Sequence, residues 1–142
     1  MISIRKFNFE DSTLMKQAHN IRHEVFVIGQ KCPKNLEYEF EEQSTHFIIL
    51  NNKKAVATAR HRKTNTGYKL ERFAVLKEYR GYGYGKNILE AILNDLKSYK
   101  GLIYLHAQVQ VQSFYEKLGF KKEGNMFKEA GIMHYKMILN KD

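Results

Sequence analysis

The amino-acid sequence predicts an α+β domain, a mixed and mostly antiparallel central sheet flanked by helices. Three observations carry this. The chain has 142 residues, 43% of them hydrophobic, which is enough for one core and is the usual size of one domain. Its apolar periodicities run β, α, several antiparallel β, then β, α, β, α, β, β, so strands and helices are mixed rather than strictly alternating. A glycine-rich segment, Arg80-Gly81-Tyr82-Gly83-Tyr84-Gly85-Lys86, stands between a strand and an amphipathic helix. With one proline and no low-complexity stretch or internal repeat, residues 1–142 read as a single domain without a linker.

Ile2 and Ile4 alternate with polar residues as in an edge strand. Asp11 or Ser12 then offers an N-cap for a helix whose apolar residues fall at 14, 18, 21, 25 and 26. Cys32-Pro33 and the acidic stretch from Glu37 to Glu42 read as a loop. HFIIL and AVATARH flank an Asn51-Asn52 turn as two hairpin strands, and a second turn at Asn65-Thr66-Gly67 leads into YKLERFAVL. Behind the glycine segment, Ile88, Leu89, Ile92, Leu93 and Leu96 recur with helical spacing. LIYLHA is a buried strand. Val111, Phe114, Tyr115 and Leu118 form one face of a short helix, with Gly119 as its C-cap. The last segment folds as two strands around a turn near Ala130-Gly131.

No signal-peptide-like apolar stretch follows the basic residues of MISIRKFNFE, and nowhere do about 18 apolar residues run together. The expectation is a cytoplasmic protein with no membrane partner. Cys32 is the only cysteine, which excludes an intramolecular disulfide, and the six scattered histidines do not suggest a metal site. A formal charge of +9 favours anionic partners such as nucleic acids or phosphorylated small molecules, without choosing among them.

The glycine segment narrows the choice. Glycines let the backbone approach a ligand, and the N–H groups of a following helix N-terminus favour anions. Flanked by Arg80 and Lys86, this would make a good pyrophosphate site, the other reading being a tight strand-to-helix turn with no ligand. It is not a P-loop, because Arg80 stands at that motif's first glycine and Asn87 at its hydroxyl. It is not a dinucleotide fingerprint either, because its third glycine follows the second by two residues rather than three. Arg80-Gly81-Tyr82-Gly83 matches the first four positions of the aromatic strand of an RNA-recognition motif, but Tyr84, Gly85 and Asn87 break the rest. Nucleic acid is therefore the weaker reading.

Arg80, Gly83 and Gly85 satisfy the Arg/Gln-x-x-Gly-x-Gly/Ala pattern at a helix start, and the segment resembles that of the GNAT superfamily of acyl-CoA N-acyltransferases. The preceding Glu71-Arg72-Phe73-Ala74-Val75 resembles the family's central strand. By that resemblance the backbone of Phe73, Ala74 and Val75 holds the pantetheine arm of acetyl-CoA, and residues 80–86, including Gly81, Tyr82 and Tyr84, hold its pyrophosphate. The segment from Gln108 through Ser113 and Tyr115 to Gly119-Phe120 resembles the second CoA-contacting segment, with Gln108 where many members carry Asn. Ile21-Arg22-His23-Glu24-Val25-Phe26-Val27 with Gln30, His46-Phe47, Ala107-Gln108 and Gly131-Ile132-x-His134 resemble the ElaA-like branch.

The resemblance implies transfer of acetyl from acetyl-CoA directly to an amine of a small molecule or peptide, without metal, by a monomer or homodimer. An RNA-binding module, a protein-interaction domain and a non-catalytic CoA-binding protein are the alternatives. An alkyl ammonium with a pKa near 10.4 lies about 3.4 units from neutral at pH 7, so supplying free amine requires on the order of 4 to 5 kcal/mol. Glu71 is the first candidate base, since apolar neighbours would raise its pKa, the other reading being a carboxylate paired to Arg72 or Lys69 at the sheet surface. His134, in the last strand, is a second candidate, or else a hydrogen-bonded structural histidine. Tyr115 is by resemblance the acid for the departing sulfur. Glu37 and Glu39 are candidates to attract a cationic amine, and by resemblance Arg22 and Gln30 line the same region.

Overall fold

A computed structural model of the chain describes residues 1–31 and 39–141. Strand β1 (Ile2–Phe7) leads into α1 (Ser12–Arg22), whose Asp11 N-cap accepts a hydrogen bond from the Leu14 N–H. The helical pattern expected as far as residue 26 continues, but with a change of pitch. His23–Ile28 is π-helical, and the Gly29 N–H reaches back five residues to the Glu24 carbonyl. Val25 and Phe26 stay buried in the turn so widened.

Strands β2 (Ser44–Asn51) and β3 (Lys54–Lys63) form the expected hairpin, with its turn at Asn52 and Lys53, both at positive φ as a two-residue loop requires. Then follow β4 (Tyr68–Val75), the glycine segment, α2 (Tyr84–Asp95), β5 (Ile103–Gln108) and α3 (Gln112–Lys117). The chain ends with β6 (Phe120–Glu129) and β7 (Ile132–Leu139). The turn between the last two is Ala130-Gly131, again at positive φ in both residues.

The seven strands form one sheet in the order β1-β2-β3-β4-β5-β7-β6. Every neighbouring pair is antiparallel except β4 and β5, whose parallel pairing requires the crossover that α2 supplies. Helix α1 covers one face, packing Leu14, Met15, Ala18 and Ile21 on Ile48 and Ala74. On the opposite face Ile88, Leu89 and Ile92 of α2 and Tyr115 of α3 pack on Leu70, Leu105 and Met137. Burying each such aliphatic side chain contributes about 1.5–3 kcal/mol.

Two local features of β4 position the site. Thr58 pairs with Ala74 and Arg60 with Glu71, so Arg72 and Phe73 together oppose Ala59. This bulge, with Arg72 at φ 62°, shifts the alternation of side chains and places Phe73 on the α2 side and Ala74 on the α1 side. At the start of β4, the Tyr68 N–H donates to the Leu102 carbonyl at 2.9 Å. A Cβ on the neighbouring Gly67 would collide with that same Leu102 carbonyl, which as backbone cannot swing aside. Gly67→Ala is therefore expected to destabilise the fold by about 1–3 kcal/mol, lowering the calorimetric Tm by several degrees. An unchanged Tm would show that β4 and β5 tolerate displacement where they meet.

Candidate active site

Strands β4 and β5 pair at Tyr68 with Ile103, Lys69 with Tyr104 and Leu70 with Leu105, and there the ladder stops. Beyond it the two strands diverge. Among the described residues no strand takes up the β5-facing edge of residues 71–75, so backbone donors and acceptors stand open along a wedge. A cavity of about 900 Å³ occupies the wedge and passes from one face of the sheet to the other. Residues of both faces line it. Phe73, Val75, Phe114 and Tyr115 belong to the α2 side, while Lys69, Glu71, His106, Gln108 and His134 alternate with core residues and belong to the α1 side.

On the α2 side the cavity ends at the glycine segment. Gly81 (φ 88°) and Gly83 (φ 84°) are left-handed, and a Cβ at either would project into open space. Gly83 is the N-cap of α2, and among the described residues no side chain caps that helix, so its first N–H groups face the cavity mouth. Arg80 is tethered through Nε to the Val75 carbonyl at 3.0 Å, which leaves the rest of its guanidinium available. Arg80, Gly81, Gly83, Tyr84, Gly85, Lys86 and Phe73 to Val75 all line the cavity. Tyr82 does not, being 69% exposed, and Ser113 lies on the exposed side of α3 away from the lining.

Tyr115 is enclosed by the rings of Phe73, Phe114 and Phe120. Burial pushes its phenol well above the ordinary range, so it is a firmly protonated donor.

On the α1 side the structure corrects the expectation for Glu71. Burial acts to raise its pKa, but Arg60, Lys69 and Arg62 outweigh that and hold it at about 2. Its Oε1 accepts from Arg60 Nε at 3.0 Å, Arg60 Nη2 at 2.7 Å and Arg62 Nε at 2.6 Å, and Lys69 Nζ lies 3.3 Å from Oε2. The apolar neighbours in the sequence point to the other face of the sheet, and the neighbours that matter are the cations Arg60 and Arg62 of β3 and Lys69 of β4 itself. So anchored a carboxylate is a poor base.

Arg22 is likewise placed away from the cavity. It is buried, with Nη2 on Glu41 at 2.6 Å, and Glu41 also receives Arg60 at 3.2 Å and His19 at 2.9 Å. Burial would raise the Glu41 pKa, yet the His19 and Arg22 hydrogen bonds and the Arg22 and Arg60 charges hold it at about 2. Glu41, read in the sequence as part of a loop that attracts amines, is a structural anion joining α1 to β3.

His134 faces the cavity from β7. Its Nδ1 lies 2.7 Å from the Ile132 carbonyl, which only accepts, so Nδ1 carries the hydrogen and Nε2 holds the lone pair of the neutral ring. Glu129 Oε2 stands 3.8 Å from that Nε2, while its Oε1 contacts His106 Nδ1 at 3.1 Å. The His106 hydrogen bond lowers the Glu129 pKa against partial burial, so the carboxylate is ionised beside His134. Gln30 and Gln108 lie together on this side. Gln30 Nε2 donates to Gln108 Oε1 at 3.1 Å, and Gln108 Nε2 donates back to Gln30 Oε1 at 2.9 Å. Glu39 also lines the cavity, and Glu37 lies outside the described residues.

The family profile described as Acetyltransferase (GNAT) domain matches residues 10–141. The chain belongs to the GNAT acetyltransferase family. This GNAT chain is 37% identical over 132 residues to the uncharacterized protein YyaT of Bacillus subtilis (strain 168), covering 87% of this chain and 86% of YyaT. Its fold matches that of Escherichia coli ElaA with a TM-score of 0.88 at 23% identity, over 97% of this chain and 99% of ElaA. An aminoglycoside 6'-N-acetyltransferase complexed with coenzyme A matches with a TM-score of 0.77 at 17% identity, over 96% of this chain and 95% of that enzyme. Among the described residues no helix is long and apolar enough to cross a membrane, and no group of three or more His, Cys, Asp or Glu is placed to hold a metal ion.

Sequence reasoning missed Glu129, His106 and Arg62 in this candidate site, while it did offer Lys69 as a partner of Glu71, which the structure places at 3.3 Å. A signal for the first was present. A two-residue turn at Ala130-Gly131 sets Phe127 opposite His134 and leaves Glu129 two residues farther along the same face.

Proposed function

We propose that the chain transfers the acetyl group of acetyl-CoA directly to a primary amine of a small molecule or peptide, both substrates being bound at once. One observation carries this. The open edge of β4 leads on one face to the uncapped N-terminus of α2 and on the other to a histidine with an available lone pair. Acetyl-CoA, when bound, supplies an acyl thioester already activated toward attack by nitrogen.

The chain's own residues fit both ends of that reaction. Gly81, Gly83 and the first N–H groups of α2 suit a pyrophosphate, with Arg80 and Lys86 adding charge. The edge of β4 suits a pantetheine amide, which hydrogen-bonds as a further strand would, and its N–H groups can donate to an acyl oxygen. His134 Nε2 accepts the proton of the amine, and Glu129 stabilises the imidazolium so formed. Tyr115 offers its hydroxyl hydrogen on the opposite face, where a sulfur leaves.

Two-sided access supports a ternary complex over a covalent acyl-enzyme. Calorimetric titration with acetyl-CoA tests the first half. Micromolar binding is expected for the intact protein, and its loss in Gly83→Glu, which puts an anion at the proposed pyrophosphate position. No binding by the intact protein would sink the acyltransferase reading. Release of free thiol on adding amines then separates a transferase from a protein that only binds CoA.

A further inference from the structure

The α1 side of the cavity carries charge of both signs, sorted by position. On the β3–β4 wall stand Arg62 and Lys69, with side chains 15% and 12% exposed. On the β6–β7 wall stand Glu129 and His134. Behind the first wall Arg22 and Arg60 converge on Glu41, and Arg60, Arg62 and Lys69 converge on Glu71. Of these cations Arg62 and Lys69 reach the cavity.

Neither of those two is fully used. Arg62 gives its Nε to Glu71 and lays its guanidinium 3.9 Å from the centroid of the Phe40 ring, which fixes its plane and leaves its terminal nitrogens without a hydrogen bond among the described residues. Lys69 has three donors and, among the described residues, one ion-pair partner, Glu71 at 3.3 Å, while its charge also acts on Glu129 across the cavity. Two largely desolvated cations, oriented by their surroundings and facing a cavity, favour an anion there. Across the cavity Glu129 favours a cation. Of the other described carboxylates in the lining, Glu71 is already paired to Arg60, Arg62 and Lys69, and Glu39, being exposed, is screened by solvent.

We propose that the acceptor is an amine that also bears an anionic group, a carboxylate or a phosphate, received by Arg62 and Lys69 while its amine faces His134 and Glu129. This rests on the transferase reading above. It distinguishes amino acids and phosphorylated amines from simple alkylamines and polyamines. Lys69 and Arg62 are specificity residues here, since they would hold the acceptor at a distance from the bond being made.

The test uses matched pairs of amines that differ in the anionic group: L-lysine with cadaverine, L-tyrosine with tyramine, and phosphoethanolamine with ethanolamine. Free thiol release gives kcat/KM for each, and thermal shift in the presence of CoA gives binding. In at least one pair the anionic member is expected to be preferred by about tenfold to a hundredfold, the range set by a charged hydrogen bond of 1.5–3 kcal/mol. The preference should reside mainly in KM, and the carboxylate and phosphate pairs separate the two kinds of anion. Lys69→Met, which keeps the apolar stem, should reduce the preference towards one, and Arg62→Met is the independent second variant.

Equal or better use of cadaverine, tyramine and ethanolamine, the members without an anionic group, or a preference that survives both substitutions, overturns the proposal. So does acetyl-CoA binding accompanied by no discrimination, in turnover or in thermal shift, within any pair; that outcome leaves the transferase reading standing. Failure to bind acetyl-CoA at all removes the transferase reading and this inference with it.

Discussion

Replacing His134 by alanine is expected to lower kcat/KM for amine acetylation by about two to four orders of magnitude, the usual worth of a positioned general base. Acetyl-CoA affinity should be unchanged, because His134 lies on the α1 side of the wedge and the glycine segment on the other. The reasoning is geometric. The Ile132 carbonyl fixes the hydrogen on Nδ1 and thereby presents Nε2 as an acceptor. Added imidazole should restore part of the rate to His134→Gly. If His134→Ala retains more than about a tenth of the wild-type kcat/KM, the proton leaves by another route, and a chain of water to bulk solvent becomes the explanation to pursue.

The largest loss of stability is expected from Glu41→Gln. Removing this carboxylate leaves Arg22 and Arg60 without the anion that lies between them, and breaking a buried pair in this way costs about 3–5 kcal/mol. For a domain of this size that corresponds to a fall in Tm of about 10 °C. The pH dependence follows from the same groups. Glu41 and Glu71 are held at about 2 against an ordinary 4.5. The unfolded chain therefore takes up protons first as the pH falls. The stability these carboxylates supply is complete above about pH 4.5 and is lost progressively down to about pH 2, on the order of 3 kcal/mol for each. Denaturant melts of the wild type should show that acid limb, and those of Glu41→Gln a shallower one. A Tm within about 2 °C of wild type would mean that the neighbouring arginines reach water when Glu41 is neutralised.

The strand and helix order was legible because each element carries its own period. The turn at Ala130-Gly131 was legible, with Gly131 suited to positive φ, whereas the hairpin turn read at Asn51-Asn52 falls one residue later, at Asn52-Lys53. The left-handed backbone of Gly81 and Gly83 at the cavity was legible from a few neighbouring letters. The pKa of Glu71 was not legible. Its local neighbours are apolar, but strand alternation sends them to the other face, and Arg60 and Arg62 come from a different strand through a register that a bulge displaces. Arg22 and Glu41 form a buried pair for a similar reason, since 19 residues separate them in the chain. The change from α to π pitch at His23 is a matter of packing, and no single residue announces it.

The ladder of three residue pairs between β4 and β5 also has a mechanical meaning. Elsewhere neighbouring strands are joined by five pairs or more, so the molecule consists of two stiff plates, β1 to β4 and β5 to β6, meeting at a short hinge. His134 rides on the second plate and the open edge of β4 belongs to the first, so the angle between the plates sets the distance from His134 to that edge. Leu70 and Leu105, the last pair of the ladder, stand where the plates meet and line the cavity that opens beyond them.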